Sequence, residues 1–241
     1  MIEVRRLSKT FNGNPVLQGV HLTVEDGEIL VVIGKSGCGK TVLLKHLIGL
    51  IEPDEGEILV DGVAIYELNR KQLLEMRKRF GMLFQSAALF DSLTVGENIA
   101  LPLKEHTSLS KKIIEEKVRE KLRLVGLEGI EHLRTSELSG GMKKRVGLAR
   151  ALVLEPNYIL FDEPTTGVDP IMAERINDLI IDLQERLKVT IIAVTHDLRS
   201  AYKIGTRLAM LAEGRIVFVG TVSEIKSSTN STVMEFIRSY G

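Results

Sequence analysis

Ile29-Leu30-Val31-Val32-Ile33-Gly34-Lys35-Ser36-Gly37-Cys38-Gly39-Lys40-Thr41 is the stretch that decides the fold class. Its consecutive apolar residues predict a strand buried on both faces, as in a parallel sheet covered by helices. From Gly34 the chain matches G-x-x-x-x-G-K-[ST], a phosphate-binding loop. Val42-Leu43-Leu44 and His46-Leu47-Ile48 follow with helical spacing. Strand, glycine loop and helix is the context that motif requires. Glycines are needed because the backbone must curl until successive N–H groups converge on phosphate oxygens. Lys40 supplies a point charge for the β- and γ-phosphates of a nucleotide, and the Thr41 hydroxyl is a ligand for Mg²⁺. Cys38 stands at a variable position and reads as a small residue that fits.

Working outward, Tyr158-Ile159-Leu160-Phe161 is a second apolar run, and it ends in Asp162-Glu163. A carboxylate at a strand tip holds Mg²⁺ through water, and Glu163 beside it is placed to polarise an attacking water as general base. Asp169-Pro170 follows, with Asp suited to an N-cap and Pro to the first helical position. Capping therefore accounts for Asp169 as well as a role at the nucleotide does. Upstream, Leu138-Ser139-Gly140-Gly141-Met142 opens a helical run carrying Val146, Leu148, Ala149, Ala151 and Leu152. Ser139 reads as its cap, and a capped helix start with two glycines is also an anion site. Two loop-to-helix anion sites and an acidic pair in one chain are the parts of a machine that closes around ATP. Lys143, Lys144, Arg145 and Arg150 on the same helix read as a solvated basic face. The chain balances 32 basic against 32 acidic residues, so no footprint for nucleic acid is evident.

With 241 residues, 44% of them hydrophobic, the chain is long enough for one substantial core and an appended lobe. The single cysteine excludes an internal disulfide and suits a reducing compartment. The alternating Ile2–Leu7 run predicts a strand at the outset and no signal peptide. No apolar run approaches the roughly 18 residues that span a bilayer, so any membrane role needs another chain to supply the span. Strand-like runs at 2–7, 16–24, 29–33 and 58–60 predict an N-terminal β region, and residues 87–154 read as mostly helical. Thr94-Val95-Gly96-Glu97 is a capping-box pattern for a short helix that Pro102 is expected to stop. Ser110 to Gly126 predicts an amphipathic helix with Ile113, Ile114, Val118, Leu122 and Val125 on one face. The β/α alternation resumes at 158–162, 189–195 and 207–211, and Glu213-Gly214 predicts a hairpin turn before Ile216–Val219. Ser227 to Thr232 reads as a polar loop. Val233, Phe236, Ile237 and Tyr240 predict a final helix packed on its own domain. His196 ends the strand-like run 189–195; the other histidines, His21, His46, His106 and His132, show no metal-ligand spacing and read as structural or exposed.

On these residues the chain resembles the ATP-binding cassette (ABC) family over nearly its whole length. Phe11 resembles the aromatic that stacks on adenine, with Val16 nearby. Gly34, Lys35, Ser36, Gly37, Cys38, Gly39, Lys40 and Thr41 correspond to the Walker A loop, and Gln85 to the Q-loop glutamine that senses Mg²⁺ and the γ-phosphate. Residues 138–142 resemble the LSGGQ signature, with Met142 in place of glutamine. Asp162 and Glu163 match the Walker B aspartate and catalytic glutamate, Gly167 to Asp169 the D-loop, and His196 the switch histidine. The resemblance implies an α/β P-loop NTPase (RecA-like) core with an N-terminal antiparallel β subdomain. A helical subdomain at about 87–154 is inserted, all within one domain, 1–241, closed by a short helix at about 232–240. It also implies ATP with Mg²⁺, the metal held by Thr41, Gln85 and Asp162, and catalysis by Glu163 and His196. Two copies would sandwich ATP head to tail, with Ser139, Gly140 and Gly141 of one copy on the nucleotide of the other and Asp169 close by.

A narrower resemblance rests on Met82 to Phe90, Pro102 to Thr107 and Met142-Lys143-Lys144-Arg145. These are similar to the MlaF-like ATPases of Mla/MCE-type phospholipid transporters. That likeness implies a peripheral subunit on the cytoplasmic face of the inner membrane, bound to an integral membrane permease. It extends to an MCE-domain protein and a small cytosolic accessory subunit. An importer ATPase for polar amino acids is the alternative, and a soluble ABC protein acting on ribosomes or DNA stands behind both. Soluble translation factors of the family carry two cassettes, and repair types a long coiled coil; this chain has one cassette and no heptad run.

Overall fold

The computed structural model describes residues 1–240. In chain order these form β1 (Ile2–Phe11), β2 (Asn14–Val24), β3 (Ile29–Ile33), α1 (Lys40–Leu47), β4 (Glu55–Val60), β5 (Val63–Ala64) and α2 (Arg70–Arg77). Next come β6 (Phe80–Leu83), α3 (Val95–His106), α4 (Lys111–Leu124), α5 (Gly140–Leu152), β7 (Tyr158–Asp162) and α6 (Pro170–Leu187). The chain closes with β8 (Thr190–Thr195), α7 (Leu198–Ile204), β9 (Arg207–Ala212), β10 (Arg215–Gly220), α8 (Val222–Lys226) and α9 (Ser231–Tyr240). Two compact units result, one of Met1–Arg77 with the chain from Ile180 onward, the other of Lys78–Leu179.

In the first unit every residue of β3 is buried, as its unbroken apolar run requires. β3 pairs in parallel with β8, Ile29 opposite Ile191 through Ile33 opposite Thr195, and with β9 on its other side. β9 turns back into β10 through Glu213-Gly214, whose φ angles of 49° and 74° give the left-handed pair that suits a two-residue hairpin. A separate antiparallel sheet runs in the order β2-β1-β4-β5. β1 is longer than its apolar run suggested, its polar end, Lys9 and Thr10, being held by Asp54.

In the second unit β6 and β7 pair in parallel, Phe80 opposite Tyr158 through Leu83 opposite Phe161. α5 lies against β6 at glycines. A Cβ on Gly81 would come within 2.4 Å of the Ala151 carbonyl, and one on Gly147 within 2.9 Å of Leu83. α3 opens with the predicted capping box, Thr94 and Glu97 each bonding the other's backbone N–H. Pro102 does not stop it, contrary to the sequence expectation, and the helix continues to His106. One backbone N–H is missing there, but Leu103 just beyond is 2% exposed, and its burial holds the last turn in place. On α4, Ile114, Val118 and Leu122 face inward while Ile113 is 41% exposed. Adjacent residues on a helix point about 100° apart, so Ile113 and Ile114 do not share one face. α9 forms as expected, with Val233 and Phe236 buried.

Candidate active site

The first unit carries the glycine loop. Gly34 sits where β3 ends against β9: a Cβ there would meet the Leu211 carbonyl at 2.3 Å. Gly37 and Gly39 have φ of 79° and 106°, conformations that fold the loop back onto the start of α1. Lys40 is 5% exposed, and its Nζ donates to the carbonyls of Gly34 at 2.8 Å and Lys35 at 3.1 Å. The lysine is thereby tied across the loop it belongs to. Gly39 itself caps α1, with no side-chain oxygen over the first turn. Such a helix start presents backbone N–H groups and the positive end of the dipole to an anion. Lys35, Ser36 and Gly37 are exposed, Cys38 and Thr41 half-buried.

One flanking expectation falls beside this loop. Val16 borders it, since a Cβ on Gly39 would lie 3.1 Å from the Val16 carbonyl. Phe11, at the end of β1, is 39% exposed, and the Lys9 ammonium lies over its ring, 5.6 Å from the centre. His196, half-buried, follows directly on β8. What the sequence did not reveal is that α9 reaches this region. Tyr240 packs edge-on to the His196 imidazole at 6.4 Å, Phe236 stacks on Tyr240, and Glu235 pairs with Lys35 at 2.9 Å. The pair with Lys35 holds the Glu235 carboxyl below the usual carboxylate range. The periodicity of α9 showed a helix, but nothing local marked its target.

The second unit carries the acidic strand end and the signature. Asp162 and Glu163 are 5% and 7% exposed at the end of β7. Glu163 has φ of +50°, a left-handed conformation uncommon outside glycine, which persists only where its surroundings enforce it. Thr166 donates its N–H to the Glu163 carbonyl at 3.3 Å and its hydroxyl to Glu163 Oε2 at 3.2 Å. Lys144 Nζ donates to the same carbonyl at 3.0 Å. Burial pulls the Lys144 ammonium below the usual lysine range, opposed by the charges of Glu163 and Asp162. Ser139 caps α5 as expected, its Oγ accepting from Met142 N at 3.3 Å. Ser139 and Gly140 are exposed; Gly141 is buried against Met172, whose side chain a Cβ would meet at 2.7 Å. Asp169 Oδ1 accepts from Met172 N at 3.0 Å, the N-cap its sequence predicted. Gln85 is exposed in the turn after β6.

The basic residues of α5 correct the sequence expectation of a solvated face. Lys144 is 6% exposed. Arg145 donates to the carbonyls of Val125 and Gly126. Arg150 donates to those of Ala87 and Ala88, two residues with φ of 61° and 47°. These cations satisfy loop carbonyls that no regular ladder would serve. Arg150 in particular holds the segment next to Gln85 in its left-handed shape.

Thr41, Gln85 and Asp162 are all oxygen donors, the ligand type Mg²⁺ takes. Among the described residues, no group of three or more His, Cys, Asp or Glu would favour another metal. No described helix is long and apolar enough to cross a membrane.

The family described as "ABC transporter" matches residues 17–166. MlaF of Escherichia coli K12, named as the ATP-binding protein of an intermembrane phospholipid transport system, is 41% identical over 237 residues, covering 98% of this chain and 88% of its own. The Mycobacterium tuberculosis protein mkl, a probable ribonucleotide transport ATP-binding protein, is 43% identical over 236 residues. That alignment spans 98% of this chain but only 66% of the mycobacterial relative. Among solved structures, a dimeric ATP-binding cassette, MJ0796, in a post-hydrolysis state with ADP and Pi superposes with a TM-score of 0.85 at 31% identity, over 92% of this chain and 99% of that one. CbiO1 of Clostridium perfringens, part of a cbiONQ ABC transporter complex, gives 0.86 at 30% identity, over 99% and 93%.

Proposed function

Because this chain belongs to the ABC transporter family, we propose that it binds and hydrolyses ATP as a head-to-tail dimer and that turnover powers a separate membrane permease moving phospholipid. The observation that carries the hydrolytic part is the buried Asp162–Glu163 pair at the tip of β7, with Glu163 held in a left-handed backbone by Thr166 and Lys144. Glu163 is the general base that takes the proton of the attacking water, and His196 steadies the γ-phosphate. The glycine loop cradles the phosphates through its N–H groups and Lys40, while Phe11 and Val16 meet the base. Thr41, Gln85 and Asp162 would hold Mg²⁺, which neutralises charge on the phosphate oxygens. Ser139, Gly140 and Gly141 serve the nucleotide of the partner copy with the dipole of α5, and Asp169 keeps the adjoining turn capped.

The likeness to MlaF proteins of Escherichia coli and Haemophilus influenzae, at 41% and 42% identity over nearly all of this chain, supports phospholipid as cargo. The same reading includes an MCE-domain protein and a small cytosolic subunit as further partners, and a place on the cytoplasmic face of the inner membrane. The mycobacterial relative, named for ribonucleotide transport, makes a soluble metabolite the second reading. Purifying tagged Glu163→Gln from native membranes with ATP and Mg²⁺ tests both. A polytopic permease with an MCE-domain protein and bound phospholipid is the expected result. A permease with a solute-binding protein would replace the cargo, and recovery of ribosomes or other soluble partners alone would end the transporter reading. The same variant is expected to bind ATP but hydrolyse it about 10²–10⁴-fold more slowly, the usual worth of a general base; near-normal steady-state turnover would remove Glu163 from that role.

A further inference from the structure

We propose that Lys144 is a positioning residue for Glu163, holding the general base in place from the very helix whose first turn serves the partner's nucleotide. The proposal rests on the ATPase reading above and adds a residue that the motifs do not include.

Burial makes the first case. Lysines are almost never fully buried unless paired, since taking an ammonium out of water is costly. Lys144 is 6% exposed, in the second turn of α5, where an apolar side chain would pack at no such cost. Its bond goes to a main-chain oxygen, the Glu163 carbonyl at 3.0 Å, not to the carboxylate. A cation bonded straight to the carboxylate would compete for the oxygens that must meet water. Held on the carbonyl instead, Lys144 fixes the peptide and leaves the carboxylate to its own chemistry.

The backbone makes the second case. With φ of +50°, Glu163 occupies a left-handed conformation that is strained for a non-glycine residue. The carbonyl of that same residue receives two donors, Lys144 Nζ and Thr166 N, while the Thr166 hydroxyl bonds Oε2. Lys144 is the donor that comes from another element. It anchors the turn to α5, so the direction of the Glu163 side chain depends on where α5 stands.

Connectivity gives the consequence. Ser139 caps α5 and Gly140 and Gly141 begin it; Lys144 follows about one turn later. A helix turn is stiff, so a phosphate drawn onto the Ser139 end shifts Lys144 with it and reorients the Glu163 peptide. In the proposed head-to-tail dimer the phosphate on Ser139 belongs to the partner's nucleotide, while Glu163 acts on the chain's own. Lys144 thus links occupancy of one nucleotide site to competence of the base in the other.

The test is steady-state ATP hydrolysis and ATP-dependent dimerisation by the full chain, comparing wild type, Lys144→Met, Lys144→Arg, Glu163→Gln and the double variant Lys144→Met/Glu163→Gln. Misplacing a reacting group by about 1 Å costs on the order of 10²-fold, so Lys144→Met is expected to lower kcat about 10–100-fold. KM for ATP and dimerisation stay close to wild type, and Lys144→Arg, which keeps a donor, recovers most of the rate. The double variant turns over no more slowly than Glu163→Gln, because a residue acting only through Glu163 has nothing further to lose. Wild-type kcat in Lys144→Met overturns the proposal. So does a loss that multiplies fully with that of Glu163→Gln, or one that Lys144→Arg does not repair. Should Lys144→Met fail to fold, Lys144→Gln, too short to span the gap, takes its place, and equal rates for the Gln and Arg variants overturn the proposal. Absence of ATPase activity in the wild type, or full activity in Glu163→Gln, is a different failure: it removes the ATPase reading or its base, and this proposal with it.

Discussion

Lys40 in the first unit and Lys144 in the second are both buried, and the two are tethered in opposite ways. Lys40 bonds the carbonyls of Gly34 and Lys35, members of its own loop. Lys144 bonds the carbonyl of Glu163, on a different element far along the chain. The first lysine is stored against its loop, where an arriving phosphate offers a better acceptor than a neutral carbonyl. The second is fastened to the backbone of the proposed general base and has a structural acceptor that no ligand need displace. In the proposed mechanism one lysine exchanges partners with substrate and the other transmits position.

Substituting both lysines gives the largest expected contrast. Lys40→Met is expected to weaken Mg-ATP binding by about 10²-fold or more, the scale for losing a charged partner at a desolvated ion pair. Lys144→Met leaves affinity near wild type and lowers turnover as argued above. Isothermal titration with a non-hydrolysable ATP analogue separates them. Equal loss of affinity in the two variants would erase the distinction between a substrate-facing and a backbone-facing lysine.

Packing glycines sharpen the contrast at the next scale. Gly81→Ala puts a methyl 2.4 Å from the Ala151 carbonyl, whereas at Gly141 the obstacle is the end of the Met172 side chain. Backbone cannot step aside and a methionine can. Gly81→Ala is therefore expected to cost about 1–3 kcal/mol, the usual cost of overpacking, and Gly141→Ala clearly less, as read from urea midpoints. A larger loss at Gly141 would mean that the start of α5 is as rigidly packed as its end.

The smallest effect concerns the helix behind the glycine loop. His46 on α1 is fully buried, its Nδ1 on the Val42 carbonyl at 2.7 Å, and burial holds its imidazole below the usual histidine range. The unfolded chain then takes up this proton before the native state does. Stability is fully present above about pH 6.5 and falls as pH drops below it, by at most about 1.4 kcal/mol per pH unit until the native group also protonates. Denaturant unfolding between pH 7 and 5 is expected to show this slope in wild type and a shallower one in His46→Gln. Equal slopes would place the acid sensitivity elsewhere.

Legibility followed the distance between partners in sequence. The Gly34–Thr41 loop, the Thr94–Glu97 capping box, the Asp169 cap and the Glu213-Gly214 hairpin were all readable, because each acts on backbone within a few residues. Errors came where packing overrode a local rule. Pro102 stays inside α3 because Leu103 is buried beyond it. The cations of α5 turned inward because loops from elsewhere in the second unit present carbonyls to them. The contacts of α9 with Lys35 and His196 join residues some 200 and 44 positions apart, beyond any local pattern.

The sequence by itself determined the phosphate loop, the acidic strand end, the signature and the family that unites them, since those features need particular residues at fixed short spacings to bind phosphate and metal. Only the tertiary structure decided which side chains hold those motifs in working shape. Lys144 on the Glu163 carbonyl, Arg150 on the turn beside Gln85, and Tyr240 against His196 are choices made when elements pack. A buried cation or ring takes whichever acceptor or face the fold brings within reach, and one chain of letters carries no record of that distance.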